Sequence, residues 1–264
     1  MTRLVRSELR KVFTIRLWWG LLIGVALTSA AFSVLVGATS GRSLGGGAAG
    51  PGVGDPATVR SIYTAGLSVA YLFALALGVI SMAGEYRHQT MTATALATPR
   101  RLRIVTSKLI AVAAVGLMYG LAAVAAGVLA GAPVIAARGG RVRLTTDDVP
   151  RTLLLSVLAV ALWAVVGLGV GTLIRNQVLA LLLAIGIAWI AEPILSFALN
   201  ALHAGQVARF LPSQATSALV QPVTNGGGVQ IELLPWWGGA LVLVGYAAIA
   251  GTLGAALTLR RDIT

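Results

Sequence analysis

Apolar residues in this chain gather into six runs of roughly twenty, each closed off by a polar or glycine-rich stretch. A continuous apolar run of about twenty residues is what a helix needs to cross the hydrocarbon core of a bilayer. The pattern therefore predicts spans at about 17–37, 61–83, 107–132, 152–174, 178–199 and 238–259 within one transmembrane domain. The third can start anywhere between Ile104 and Leu109. Trp18-Trp19 and Trp236-Trp237 stand at span ends, where indoles favour the headgroup level. Residues 1–16 follow another rhythm. At 100° per residue Val5, Leu9, Val12 and Phe13 share one face, and Arg3, Arg6, Arg10 and Lys11 fall on the opposite arc. That is the pattern of a basic amphipathic helix lying in the interface plane. A signal peptide is the competing reading, but the apolar stretch that follows is too long for an h-region.

The polar stretches differ in kind. Residues 38–60 hold Gly45-Gly46-Gly47 and then Gly50, Gly52 and Gly54. Neither a preceding strand nor a following helix with a suitable acid makes these a dinucleotide fingerprint, so they read as loop. Residues 84–106 are the most charged, with Glu85, Arg87, Arg100, Arg101 and Arg103 leading to Lys108. Within them Thr90–Ala97 has the composition for about two turns of helix before Pro99. This stretch is either a solvated loop that fixes topology or a short surface helix that passes movement to the spans. Residues 200–235 are too long and too mixed for a plain loop, and their short apolar islands suggest re-entrant or interfacial helices. Gly116 and Gly120, and again Gly127 and Gly131, stand four residues apart and allow close helix approach, either across a dimer or inside one bundle.

Composition strengthens the picture. Of 264 residues 57% are hydrophobic and 11% charged, with mean hydropathy +0.88; an ordinary soluble domain carries about 25% charged residues. The net charge of +12 would suit nucleic acid, but the charges cluster at span ends, which speaks against it. Sorting Lys and Arg by alternate loops puts 13 on one side and 7 on the other. The positive-inside tendency makes the richer side cytoplasmic, with both termini there. Residues 138–151 run against it, with Arg138, Arg141, Arg143 and Arg151 on the outer side.

Candidate chemistry is sparse. No cysteine is present, no GxxxxGK[ST] loop for ATP phosphates and no HExxH; His88 and His203 fall on opposite sides of the membrane. The chain is not expected to be an enzyme, to bind a metal or to hold a cofactor of its own. The intramembrane acid Glu192, followed by Pro193, is a functional candidate by cost alone. It is either a translocation-path or proton-linked group, or a residue near the outer interface that reaches water or Arg209.

Three short segments in order resemble the permease subunits of ABC-2 type transporters. They are Leu4-Val5-Arg6-Ser7-Glu8-Leu9-Arg10-Lys11, then Glu85-Tyr86-Arg87-His88-Gln89-Thr90 with Thr98-Pro99-Arg100-Arg101, then Phe210-Leu211-Pro212-Ser213-Gln214-Ala215. The resemblance covers the whole chain in length, span count and motif order. It implies an all-α, six-span permease of the bacterial cytoplasmic membrane, pairing with a second permease as a homo- or heterodimer. It further implies two separate ATPase subunits that hold the ATP and Mg. A coupling helix in 84–106 would dock them, with Glu85, Tyr86, Arg87, Gln89, Thr90, Pro99, Arg100 and Arg101 as candidate contacts. Re-entrant helices would lie within 200–235. The activity implied is outward transport of a hydrophobic or amphipathic solute such as a drug, peptide or lipid. The rivals are a proton-coupled secondary carrier using Glu192, and a non-transporting anchor or sensor.

Overall fold

A computed structural model describes residues 2–42, 50–87, 101–174, 176–220 and 233–260; side chains are described for these except at 86, 87, 101–104 and 254–260. The described residues form helices and no strand. In chain order they are α1 (Thr2–Thr14), α2 (Leu17–Thr39), α3 (Pro56–Thr64), α4 (Leu67–Arg87), α5 (Arg101–Ala137) and α6 (Val149–Leu173). Then come α7 (Gln177–Gly186), a π-helical turn (Ile187–Ala191), α8 (Glu192–Ala201), α9 (Gly205–Ala208), α10 (Pro212–Val220) and α11 (Trp236–Arg260). Six helical stretches are long and apolar enough to cross a membrane: Leu17–Thr39, Pro56–Glu85, Val105–Ala137, Val149–Leu173, Gln177–Ala201 and Trp236–Leu253. The protein is an all-α membrane protein.

Two spans depart from a simple rod. The second begins as α3, where Asp55 accepts from the Thr58 N–H at 2.9 Å and hydroxyl at 3.0 Å, and Pro56 opens the first turn. It breaks at Ala65-Gly66 before α4 resumes. At Gly66 a Cβ would lie 2.3 Å from Ser29 Cα, so only glycine lets α2 cross here. The fifth is α7, a π-turn and α8. The Glu192 N–H bonds the Ile187 carbonyl five residues back, the signature of an extra residue in the turn. This widened turn stands beside Pro193, where the missing N–H would leave an ordinary ladder one bond short.

α6 is the core helix and packs against α4, α5 and α11. Small residues bring it close: a Cβ on Gly78 would meet the Ala164 carbonyl at 2.0 Å, and one on Gly167 the Leu75 carbonyl at 2.1 Å. α2 buries only one stripe, Val25, Ser29, Ser33 and Gly37, every fourth residue. The Ser33 hydroxyl lies 2.8 Å from both the Ile62 and the Gly127 carbonyls, so the stripe is tied to α3 and α5. The four glycines of α5 face neighbours within the same bundle. Added Cβ atoms at Gly116, Gly120, Gly127 and Gly131 would meet Ala161, Val157, Tyr63 and Ser33 at 2.5–2.8 Å. Of the two readings of this stripe, packing inside one bundle holds and the dimer seam does not, because the space a partner would need is already filled.

α5 is 37 residues long, about 55 Å, and overshoots the roughly 30 Å hydrocarbon core. It therefore joins both polar ends of the bundle. At one end it meets α1. At the other Arg138 donates to the Gly37 and Ser40 carbonyls at 2.6 Å each, closing the C-terminal end of α2.

Candidate functional site

The densest buried charge among the described residues lies where α1, the end of α4 and the start of α5 meet. Glu8, Glu85 and Lys108 come from these three helices and are 5%, 6% and 4% exposed. Lys108 Nζ sits 2.5 Å from Glu8 Oε2 and 2.8 Å from Glu85 Oε1; Lys11 Nζ sits 2.6 Å from Glu8 Oε1 and 2.9 Å from Glu85 Oε1. Two carboxylates thus alternate with two ammonium groups, and the formal charges cancel. Taking an ion out of water costs several kcal/mol, and a buried charge is tolerated only when pairing and hydrogen bonds repay this. Among the described residues, Glu85 Oε2 is the one carboxylate oxygen of the cluster without a hydrogen-bond partner.

Local sequence explains the placement. Glu8 and Lys11 are one turn apart on the flank of α1 beside Leu9 and Val12, which pack on the core formed by α2, α4, α5 and α6. Glu85 comes in the last turn of its apolar span and Lys108 in the first turns of the next. For Glu8, burial opposes ionisation, but Lys108 and then Lys11 outweigh it and hold its carboxyl below the usual range. For Lys11, burial pulls downward, and hydrogen bonds to Glu8 and Glu85 raise its pKa above the ordinary lysine value.

The fate of the candidate loop residues follows. Glu85 is committed inward to this cluster. Tyr86 and Arg87 close α4, and Arg101 opens α5. Gln89, Thr90, Pro99 and Arg100, with the expected helix over Thr90–Ala97, lie outside the described residues. Arg3, Arg6 and Arg10 are exposed on α1 as the amphipathic pattern predicts, whereas Lys11 bridges the two acids. Sequence reading did not pair Glu8 with Lys108. The available signal was the choice of base: the two lysines of the chain, against 18 arginines, are the two cations of the cluster. A compact ammonium with three donors suits a gap between two carboxylates.

A second polar site lies around Glu192, which is 4% exposed. Its Oε1 accepts the Ser213 backbone N–H at the start of α10. The first N–H groups of a helix have no partner within it, so a carboxylate from α8 serves as the cap. Beside it, Trp163 Nε1 donates to Thr216 Oγ1 at 2.8 Å, and the Trp163 ring stacks on Tyr71 with centroids 4.4 Å apart. Gln214 Nε2 donates to Ser196 Oγ at 3.3 Å. The expectation that Glu192 reaches water or Arg209 is corrected. The π-turn rotates the carboxyl inward onto α10, and the Arg209 guanidinium instead lies over the Phe210 ring, 5.2 Å from its centroid.

The arginine-rich stretch after α5 acts as local scaffolding. Arg143 pairs with Asp147 at 2.5 Å, Arg60 donates to the Asp147 carbonyl at 3.1 Å, and Arg151 lies over the Trp236 ring at 5.2 Å. These contacts hold a loop in which Arg143, Asp147 and Asp148 all have positive φ, at 50°, 56° and 60°. The carboxyl of Asp147 is held below its usual range by hydrogen bonds from Arg143 and Thr146.

Among curated proteins no relative matches the chain. A family model described as "ABC-2 family transporter protein" matches residues 7–263, from the middle of α1 to the penultimate residue. That match takes in both ends of the ion cluster, the six apolar helices and the Glu192 site, and on this evidence the chain belongs to the ABC-2 transporter family as a transmembrane subunit.

Proposed function

We propose that this chain is the membrane half of an ATP-driven exporter. It forms the translocation path with a second permease subunit, its own copy or a homologue, and docks two copies of a separate ATPase that hold ATP and Mg. In this reading both termini and the 84–106 stretch face the cytoplasm of a bacterial cell. Residues 84–106 supply the coupling helix, with Tyr86, Arg87, Gln89, Thr90, Pro99, Arg100 and Arg101 toward the ATPase. Glu85 then acts from inside, as a positioning residue that fixes one root of the loop. The segment holding α9 and α10 is the re-entrant element on the outer side, and a hydrophobic or amphipathic solute leaves through the apolar bundle. ATP drives the cycle to the extent that it binds one arrangement of the paired subunits better than the other.

The observation that carries this is the buried ion cluster, read together with the family match. It ties α1 to both roots of the loop, so a push on the loop moves three helices together. The test is affinity purification of the tagged chain in mild detergent, with ATPase assay and mass identification of bound subunits. Arg100→Glu with Arg101→Glu is expected to lose the ATPase while the permease stays folded. Retention of the ATPase by that variant, or a clean preparation without one from the native host, overturns the reading. The buried Glu192 favours one rival, a proton-coupled carrier. That rival requires transport with no ATPase present and its loss in Glu192→Gln.

A further inference from the structure

α1 has a second surface that the ion cluster leaves open. Arg3, Arg6 and Arg10 follow at i, i+3 and i+7, sharing one face over about 10 Å of helix. All three are exposed, and none enters an ion pair among the described residues. The acid of α1, Glu8, faces the bundle and is already held by two lysines. Phe13, 42% exposed, stands seven residues on from Arg6 and so continues the arginine face and not the opposite one, and Ile15 at 55% and Trp19 at 48% are exposed beyond it toward α2. α1 passes directly into the span α2, and the corner is locked: Trp18 Nε1 donates to the Phe13 carbonyl at 3.1 Å, and the Tyr119 hydroxyl to the Trp18 carbonyl at 2.6 Å. The arginine face is therefore held at the depth where α2 leaves the hydrocarbon.

Guanidinium groups bordered by apolar side chains complement the headgroup layer of a bilayer, phosphate to guanidinium and acyl chain to aromatic. Net-negative headgroups fit best, because a zwitterionic headgroup brings its own cation to compete. A nucleic acid would satisfy the arginines but leave the apolar border against water.

We propose that Arg3, Arg6 and Arg10 bind anionic phospholipid headgroups, and that the Glu8–Lys11–Glu85–Lys108 cluster passes this occupancy to the ends of α4 and α5. Lipid then sets how firmly the roots of the 84–106 stretch are held. Only the consequence for ATPase docking rests on the function proposed above; lipid binding and its transmission do not. Each arginine at an anionic surface is worth about fivefold in binding, so three together give on the order of a hundredfold.

The full chain is reconstituted into vesicles of equal phosphatidylglycerol and phosphatidylcholine, extracted in mild detergent, and its retained lipid measured by mass spectrometry. Phosphatidylglycerol is expected to be enriched on the native chain and to fall to the bulk ratio when Arg3, Arg6 and Arg10 are all changed to Gln. The three changes to Lys should restore most of the enrichment, which separates charge recognition from loss of the helix. Unchanged enrichment in the Gln variant, or none on the native chain, overturns the lipid site. Hydrogen exchange in phosphatidylcholine nanodiscs, with and without phosphatidylglycerol, then reads residues 82–87 and 105–110. Slower exchange with the anionic lipid is expected in the native chain. Glu8→Gln should keep the lipid enrichment and lose that response; an equal response in Glu8→Gln overturns transmission through the cluster. Both readouts stand whether or not an ATPase co-purifies.

Discussion

Glu192 shows how a residue with a costly charge can have a structural partner. Its carboxylate takes the Ser213 N–H that begins α10, a donor that a buried helix start cannot leave unmet. Glu192→Ala removes the acceptor and buries the N–H unsatisfied, at a cost of about 1–3 kcal/mol. Glu192→Gln keeps an oxygen in nearly the same place. Thermal unfolding in detergent should therefore show a clear loss for Ala and a much smaller one for Gln; equal losses would mean that the charge itself holds the site. Whether Glu192 also serves transport is a separate measurement, made on the Gln variant because that one keeps the fold.

Between elements, the decisive contacts are made by residues with almost no side chain. α4 and α6 approach until Gly78 and Gly167 each face a carbonyl of the other helix, at a distance no Cβ tolerates. Without a hydrophobic drive inside lipid, such close packing is what associates helices. Gly78→Val should force the pair apart, with a loss of at least the 1–3 kcal/mol typical of overpacking. Gly20→Ala, where an added Cβ meets nothing within 4 Å, should leave stability unchanged or raise it by up to about 1 kcal/mol. Comparing their midpoints in one detergent checks the packing; matching behaviour would contradict the α4–α6 contact.

For the molecule as a whole, the ion cluster makes α1 part of the bundle and not a loose surface helix. Its pH window follows from the two shifted groups. Glu8 is depressed, so its contribution is complete above the ordinary value of 4.5 and is lost as pH falls through the lower native value. Lys11 is raised, so its contribution is complete below 10.5 and is lost as pH rises through the higher native value. Between these limits the contributions of Glu8 and Lys11 should not change with pH. Hydrogen exchange in α1, corrected for the intrinsic rate, is expected to be flat across the neutral range and to rise only in acid or strong alkali. A rise near pH 7 would show that the cluster is not paired as described. Lys108→Met leaves two carboxylates facing one exposed lysine. Breaking a buried pair this way costs about 3–5 kcal/mol, and α1 should exchange freely in that variant at every pH.

The class of the protein was legible in its residues because bilayer thickness is a length requirement and six apolar runs meet it. The amphipathic character of α1 was legible for the same kind of reason, since a 3.6-residue period needs only local information. Motif order also pointed to the family, and the match over residues 7–263 agrees. What local pattern cannot carry is which charge meets which across a hundred residues. Lys108 read as a charge at the end of a loop and Glu8 only as part of a motif, and the crossing of α1, α4 and α5 makes them a pair. Nor does a glycine spacing say which helix fills the groove, so the α5 stripe left a dimer seam open beside packing in one bundle, and α6, α3 and α2 occupy it. The direction of Glu192 depended on a single extra residue in the π-turn, a shift that leaves no mark on hydropathy. Span count and class are properties of the chain taken along its length, whereas pairing and facing arise when helices meet at angles and depths that only the packed bundle decides.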